Sequence, residues 1–142
     1  MPLSNYTHAA LLDALFGNTS DLGALASEPT IYVGLSSTTP AQDGSSVTEP
    51  SGGAYARVST ASSDWTAATA ADPSVVTNAN PIDFATATAD WASGSDLTHL
   101  VLFDAATSGN LLGFGALTTA KPVLDGDTAS FAAGDLQVDI GS

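Results

Sequence analysis

Eight short runs of apolar and β-branched residues, separated by segments rich in Gly, Pro, Asn and Asp, occupy the sequence after residue 17. Runs of this length with turn-forming residues between them are typical of the strands of a β-sandwich or jelly roll. The run at 97–104 is apolar at both alternating sets of positions, which predicts a central strand buried on both faces. We therefore predict an all-β fold, a jelly-roll-like antiparallel β-sandwich, forming one domain over residues 1–142. The predicted strands are 30–35, 55–60, 74–77, 82–86, 97–104, 111–117, 128–132 and 136–140.

Residues 1–18 predict one short N-terminal helix before the strands begin. Ser4 or Asn5 can cap it, and the Gly17–Asn18 pair supplies a stop. Helical periodicity places several residues in one apolar stripe, namely His8, Leu11, Leu12, Leu15 and Phe16. A helix this short is not stable alone, so we expect the stripe to dock on its own domain or on a neighbouring subunit. Leu11, Leu15 and Phe16 are therefore candidate interface residues.

A long polar stretch at 36–54, reading SSTTPAQDGSSVTEPSGGA, separates the first two predicted strands. A loop of this length inside a compact domain is usually functional, and we predict an interaction arm. Arg57, the one arginine of the chain, follows the arm, and Glu49 is one candidate partner for it. We expect a charge-assisted, bidentate pair that fixes the base of the arm, the alternative being an exposed arginine. The candidate interface residues here are Thr48, Glu49, Pro50, Tyr55 and Arg57.

The charge balance excludes several classes of partner. Fifteen Asp and Glu residues face two Lys and Arg residues, giving a net charge of −13. Phosphate contacts need clustered cations, so we predict no binding to nucleic acid or to anionic membrane surfaces. The apolar stretch at 9–16 is interrupted by Asp13 and falls far short of about 20 residues, so we predict neither a membrane span nor a signal peptide. The absence of cysteine excludes disulfides and thiolate metal sites.

No motif in the sequence indicates catalysis. His8 lies on the helical stripe and His99 lies between apolar neighbours in a predicted strand, so both positions favour packing over a Ser-His-Asp triad. Asp125 and Asp127 bracket a glycine, which favours an Asx-turn over a glycosidase pair or calcium ligands. We therefore predict a protein without enzymatic activity, cofactor or metal.

Glycines and aromatic residues of the predicted strands also have a simple interpretation. Gly113 and Gly115 lie within one predicted strand, which indicates a bulge or a close backbone approach. The larger aromatic side chains could line a sugar platform, but core packing is the favoured interpretation, with Trp91 expected to be partly exposed. The residues considered are Tyr55, Trp65, Phe84, Trp91 and Phe103.

The segments EPSGGAYAR (49–57) and FDAATSGNLL (103–112) are the most distinctive stretches of the sequence. They resemble small virion proteins of tailed phages and prophages, a group described as tail-fibre-like or capsid-decoration proteins, and they carry most of the resemblance. Further matching stretches are TIYVGLSSTTP (30–40), FATATADW (84–91) and GDTASFAAGDLQV (126–138). The resemblance, which extends to components of gene transfer agents, implies a jelly-roll-like sandwich that assembles as an oligomer on a particle and has no catalytic role.

Together these features predict a structural protein attached to the head of a tailed phage or phage-like particle, as a capsid decoration or as the base of a head spike or fibre. The expected partners are the major capsid protein or another virion protein, further copies of the chain, and a fibre or spike protein. The expected location is the particle surface, after synthesis in the host cytoplasm. The alternative is a tail-fibre-associated adhesion module that binds host surface glycans, which requires an exposed aromatic shelf. A third hypothesis, a hydrolase, requires a cleft with convergent carboxylates.

Overall fold

A computed structural model describes residues 1–16 and 30–140 and contains one α-helix and eight strands in this range. Every predicted strand is present, although the bounds of several differ. The predicted helix stop at Gly17–Asn18 lies outside the described residues. The elements are α1 (Asn5–Phe16), β1 (Ile31–Ser36), β2 (Val58–Thr60), β3 (Ser74–Thr77), β4 (Ile82–Asp83), β5 (Leu97–Phe103), β6 (Leu111–Lys121), β7 (Ser130–Phe131) and β8 (Gln137–Ile140).

The first layer is a four-stranded antiparallel sheet in the order β2-β1-β5-β6. β5 lies between β1 and β6, with Gly34 opposite Val101 on one side and Phe114 opposite Val101 on the other. Both faces of β5 are buried in its second half. The prediction of a central, doubly buried strand at this position is confirmed.

The second layer consists of two antiparallel pairs, β3-β8 and β4-β7. Along the chain, the pair β3-β8 encloses the pair β4-β7, which in turn encloses the pair β5-β6. This nesting is the pattern of one long hairpin folded over on itself. Side chains from both layers share one hydrophobic core, which includes Leu35, Leu102, Ile82 and Leu136. The predicted all-β antiparallel sandwich with one short N-terminal helix is confirmed.

Five predicted strands are shorter in the structure, two of them (β5 and β8) by a single residue, and one is longer. β2 begins only at Val58, because residues 52–55 form a turn closed by the bond from Tyr55 N–H to the Gly52 carbonyl (3.0 Å). β4 and β7 contain two residues each, and beyond them Phe84 N–H still donates to the Ala129 carbonyl (2.9 Å) while the Phe84 side chain packs in the core. β6 continues to Lys121 through a register shift against β5.

The N-terminal segment closes one side of the sandwich. Leu3 bridges to Gly113 on β6, while the Met1 carbonyl accepts a bond from Asp139 N–H on β8 (3.5 Å) and the Met1 ammonium pairs with the Asp139 carboxylate. A Cβ at Gly113 would lie 3.0 Å from the Pro2 carbonyl oxygen. The predicted close backbone approach at Gly113 is therefore confirmed.

Candidate interaction surfaces

The arm, defined as residues 36–54, lies folded on the outer face of the first sheet. Val47 packs there against a second apolar cluster that contains Val101, Phe103 and Leu111. The arm is held to the end of β1 by Ser37 N–H donating to the Thr48 carbonyl (2.9 Å) and by Thr48 N–H donating to Ser36 Oγ (3.0 Å). The arm therefore presents a fixed surface, in which Thr48 is exposed and Pro50 is buried.

The base of the arm is fixed by a polar cluster that we call the latch, formed by Glu49, Tyr55, Arg57 and Phe103. Arg57 Nε lies 3.0 and 3.1 Å from the two Glu49 oxygens, and Arg57 Nη2 lies 2.6 Å from Oε2. The guanidinium carbon lies 3.5 Å from the centroid of the Phe103 ring, a cation–π contact. The predicted bidentate pair of Arg57 and Glu49 is confirmed.

The latch also joins the arm to the turn between β5 and β6. Arg57 Nη1 donates to the carbonyls of Ala105 and Ser108, both at 2.8 Å. The turn itself is held by Asp104, whose carboxylate accepts the backbone N–H (2.7 Å) and the side-chain amide (2.8 Å) of Asn110. The side chain of one arginine, only 7% exposed, thus connects two loops that are distant in sequence.

Tyr55 completes the latch beneath the ion pair. Its hydroxyl donates to Glu49 Oε1 (2.7 Å) and accepts the Leu35 N–H (2.9 Å). Burial raises the pKa of Tyr55 well above its usual value, and the neighbouring Glu49 carboxylate acts in the same direction. The glycine at position 34 is needed here, because a Cβ would lie 2.7 Å from Glu49 Oε1 and 3.0 Å from the Tyr55 hydroxyl.

α1 is attached to β6 through its polar side. Ser4 caps the helix by accepting the Thr7 N–H (3.3 Å), and its hydroxyl also donates to the Leu111 carbonyl. Thr7 Oγ1 donates to the Leu112 carbonyl (2.8 Å), and Ala10 is buried on the same side. The helix is therefore held in place by buried hydroxyl groups and a small side chain.

The opposite side of α1 carries large apolar side chains that face solvent. We call Leu11, Leu12 and Phe16 the helix face; they are 39%, 57% and 76% exposed. The expectation that His8 packs on this stripe is wrong, because His8 is exposed as well. The side chain of Leu15, a predicted interface residue, lies outside the described residues. Leu12 belongs to the stripe but was not among the predicted interface residues, although the structure exposes it more than Leu11.

Asp127, one of the two carboxylates considered for catalysis or calcium, serves as an acceptor within a turn, and so does Asp135. Asp127 accepts the Leu124 N–H (3.0 Å) and Asp135 accepts the Ala132 N–H (2.8 Å). Asp127 therefore stabilises a turn, but its interpretation as an Asx-turn is wrong, because the carboxylate accepts the N–H three residues before it and not the N–H two residues after it. Within 1–16 and 30–140, no three His, Cys, Asp or Glu side chains are grouped so that they could hold a metal ion. Burial lowers the pKa of His99, whose Nδ1 lies 2.8 Å from Thr98 Oγ1.

The aromatic residues considered for sugar binding are packed in the protein. Trp91 is fully buried and donates its indole N–H to the Gly53 carbonyl (2.8 Å), so the expectation of partial exposure is wrong. Its ring lies edge-on to that of Tyr55, with 5.0 Å between centroids. Trp65 is half-buried and donates to Thr60 Oγ1 (2.9 Å). These side chains do not form an exposed shelf.

A cleft between the two layers was not predicted. It has a volume of about 900 Å³ and lies between the second half of β6 and the segments around β7 and β8. Its lining mixes apolar residues such as Leu97 and Phe131 with polar residues such as Thr119 and Gln137. No sequence signal indicated this cleft, because it depends on how the two layers separate at one end.

In the part of the chain that the structure describes, no helix has the length and hydropathy needed to cross a membrane.

An antiparallel sandwich with a folded arm and an apolar, solvent-facing helix side defines a small all-β protein suited to contacts with other proteins. Comparison with known families makes this class specific. Residues 2–139 match the family described as podophage GP4 fiber I protein gp80, and because the match covers almost the whole chain, the chain belongs to this phage fibre protein family. The resemblance to virion proteins of tailed phages is thereby confirmed. A comparison with curated proteins found no match.

Proposed function

We propose that the chain is a structural protein attached to the head of a tailed phage or phage-like particle, as a capsid decoration or as the base of a head spike or fibre. It acts through protein–protein contacts in symmetric copies and has no catalytic role. Membership of a phage fibre protein family supports the virion component of this proposal. The observation that carries it is the helix face, a set of large apolar side chains presented by a helix that is already fixed to the sandwich.

A spike or fibre base has to contact the particle and the fibre together. The helix face lies beside the first residues of β6, where α1 is bonded to Leu111 and Leu112. Leu124, a second exposed apolar residue, follows the other end of the same strand. A strand of eleven residues spans about 35 Å. Two apolar contact points separated in this way suit a protein placed between two partners.

The absence of a catalytic role rests on how the polar side chains are used. The carboxylates of Asp104, Asp127 and Asp135 each accept a backbone N–H in a turn, and Glu49 is neutralised by Arg57. Catalytic acids and bases need to be available to a substrate, with a pKa matched to the reaction. These groups stabilise loops instead.

The test is a cryo-EM reconstruction of the purified parent particle beside one assembled without this chain. Density over capsomers or at head vertices that is present only in the first particle, with the sandwich fitted into it, is the expected result. Density confined to the tail would replace the proposal with a fibre or adhesion role. Absence of the chain from the particle by mass spectrometry would refute a virion role.

A further inference from the structure

The helix face is a preformed surface. α1 is anchored through Ser4, Thr7 and Ala10, all of which are buried, so binding a partner does not require the helix to fold or turn over. A rigid helix with apolar residues one turn apart is the arrangement that docks into an apolar groove. Because little ordering entropy is lost on docking, the exposed apolar area of Leu12 and Phe16 contributes to affinity efficiently.

The charge of the chain restricts what the groove can belong to. The chain has two Lys and Arg residues, of which Arg57 is occupied by Glu49 and Lys121 lies at the far end of β6. Carboxylates lie close to α1, because Asp13 belongs to the helix and Asp43 adjoins Gln42, whose carbonyl accepts the Asn5 N–H (3.0 Å). Hydrogen bonds from Ser45 lower the pKa of Asp43, so it is ionised at neutral pH.

A second copy would bring the same carboxylates to the contact. Both copies would carry Asp13 on the contacting helix and a net charge of −13, so two copies repel through their charges while their apolar side chains attract. A surface with lysine and arginine around an apolar groove has no such conflict and also accelerates association.

Resting on the proposed function, we propose that Leu11, Leu12 and Phe16 dock into an apolar groove with a Lys- and Arg-rich rim on a different virion protein. The negative charge of the chain orients the encounter, and the apolar side chains of the helix face supply the affinity. The two candidate occupants of the helix face, a basic partner protein and a second copy of the chain, respond to salt in opposite directions. Salt weakens binding to a basic partner and strengthens association between like-charged copies.

The experiment uses the purified full chain and particles assembled from the same genome with this gene deleted. Binding is measured by co-sedimentation at about 50 mM and about 300 mM NaCl. The chain alone is examined by analytical ultracentrifugation under the same conditions. The variant is Leu12→Gln/Phe16→Gln, which keeps helix propensity, and the matched control is Ile140→Gln, an exposed apolar residue on β8. Circular dichroism and the thermal midpoint verify that each variant is folded.

We expect the double variant to bind gene-deleted particles at least about tenfold more weakly, and Ile140→Gln to bind within about twofold of wild type. The higher salt concentration weakens wild-type binding by roughly tenfold. Self-association that grows with salt and is lost in the double variant overturns the proposal in favour of a second copy. Unchanged binding by the folded double variant also overturns it, as does failure of the wild-type chain to bind at either salt. In these cases cryo-EM of the native particle still decides the proposed function, which fails only if the chain is absent from the head.

Discussion

Replacing Glu49 by Gln removes one negative charge from the latch and keeps the shape of the side chain. In the wild type, the carboxylate accepts bonds from Arg57 Nε, Arg57 Nη2 and the Tyr55 hydroxyl. The amide has one oxygen to offer these donors, and its NH₂ group has to face one of them. The guanidinium, with a side chain only 7% exposed, then lacks its counter-charge.

The size of the expected loss in the free energy of unfolding follows from how deeply the Arg57–Glu49 pair is buried. Taking one partner from a fully buried pair costs about 3–5 kcal/mol. The Glu49 side chain is 20% exposed, so water partly compensates, and we expect the free energy of unfolding to fall by about 2–3 kcal/mol. The loss should change little on raising the salt concentration, because a pair this buried is poorly screened.

The assay is urea unfolding followed by circular dichroism, with midpoint and slope fitted for each variant. Asp96→Asn, which neutralises an exposed carboxylate, is the control and should stay within about 0.5 kcal/mol of wild type. A double-mutant cycle with Arg57→Gln isolates the interaction between the two side chains. A Glu49→Gln protein within about 0.5 kcal/mol of wild type would refute the reasoning that the latch stabilises the arm.

Three further predictions concern buried polar groups and one glycine. Tyr55 keeps its proton in the folded state at a pH where the unfolded chain ionises, so stability should fall as the pH rises above about 10, and Tyr55→Phe should remove its share of that fall. Asn78→Ala should cost about 2–4 kcal/mol in urea unfolding, because the buried amide accepts the Leu136 N–H (2.9 Å) and donates to the Ala132 carbonyl (2.8 Å). Gly34→Ala should cost about 1–3 kcal/mol, since its Cβ would lie 2.7 Å from Glu49 Oε1.

Each of these predictions has a result that contradicts it. An unchanged slope of stability against pH above about 10 in Tyr55→Phe would mean that the phenol is not protected by burial. For Asn78, the control is Asn80→Ala, an exposed neighbour, and equal losses in the two variants would exclude a special role for the buried amide. Gly34→Ala should lose much of its effect when combined with Glu49→Ala, which removes the nearest contacting atom; full additivity would place the strain elsewhere.

The strands and the latch were predictable because their signals are local or unique. Alternation of apolar residues fixes which segments are strands, and the two apolar faces of β5 identify it as central. The bidentate pair could be anticipated because Arg57 is the single arginine, close in sequence to Glu49. The short lengths of β4 and β7 were not predictable, since they depend on pairing between segments that are almost fifty residues apart in the chain.

The orientation of α1 decides a point that sequence periodicity left open, since the apolar stripe could dock on its own domain or on a neighbouring subunit. Packing on its own domain would place Leu11 and Phe16 against the sheet. The structure instead buries Ser4, Thr7 and Ala10, because backbone carbonyls of β6 accept the two hydroxyls at close range. Trp91 was misjudged for a related reason, since its burial depends on a bond to Gly53, which is distant in sequence. Tertiary hydrogen bonds of this kind leave no mark on the local pattern.

The contacts of residues 1–4 have a consequence for biosynthesis. These residues bridge Gly113 and Asp139, so the two layers are joined by partners more than a hundred positions away in the chain. A nascent chain on the ribosome cannot complete this closure until residue 139 has left the exit tunnel. Long-range pairing of this kind folds slowly, on the order of milliseconds to seconds. Until then residues 1–4 lack their partners on β6 and β8, so we expect this closure to be among the last steps of folding.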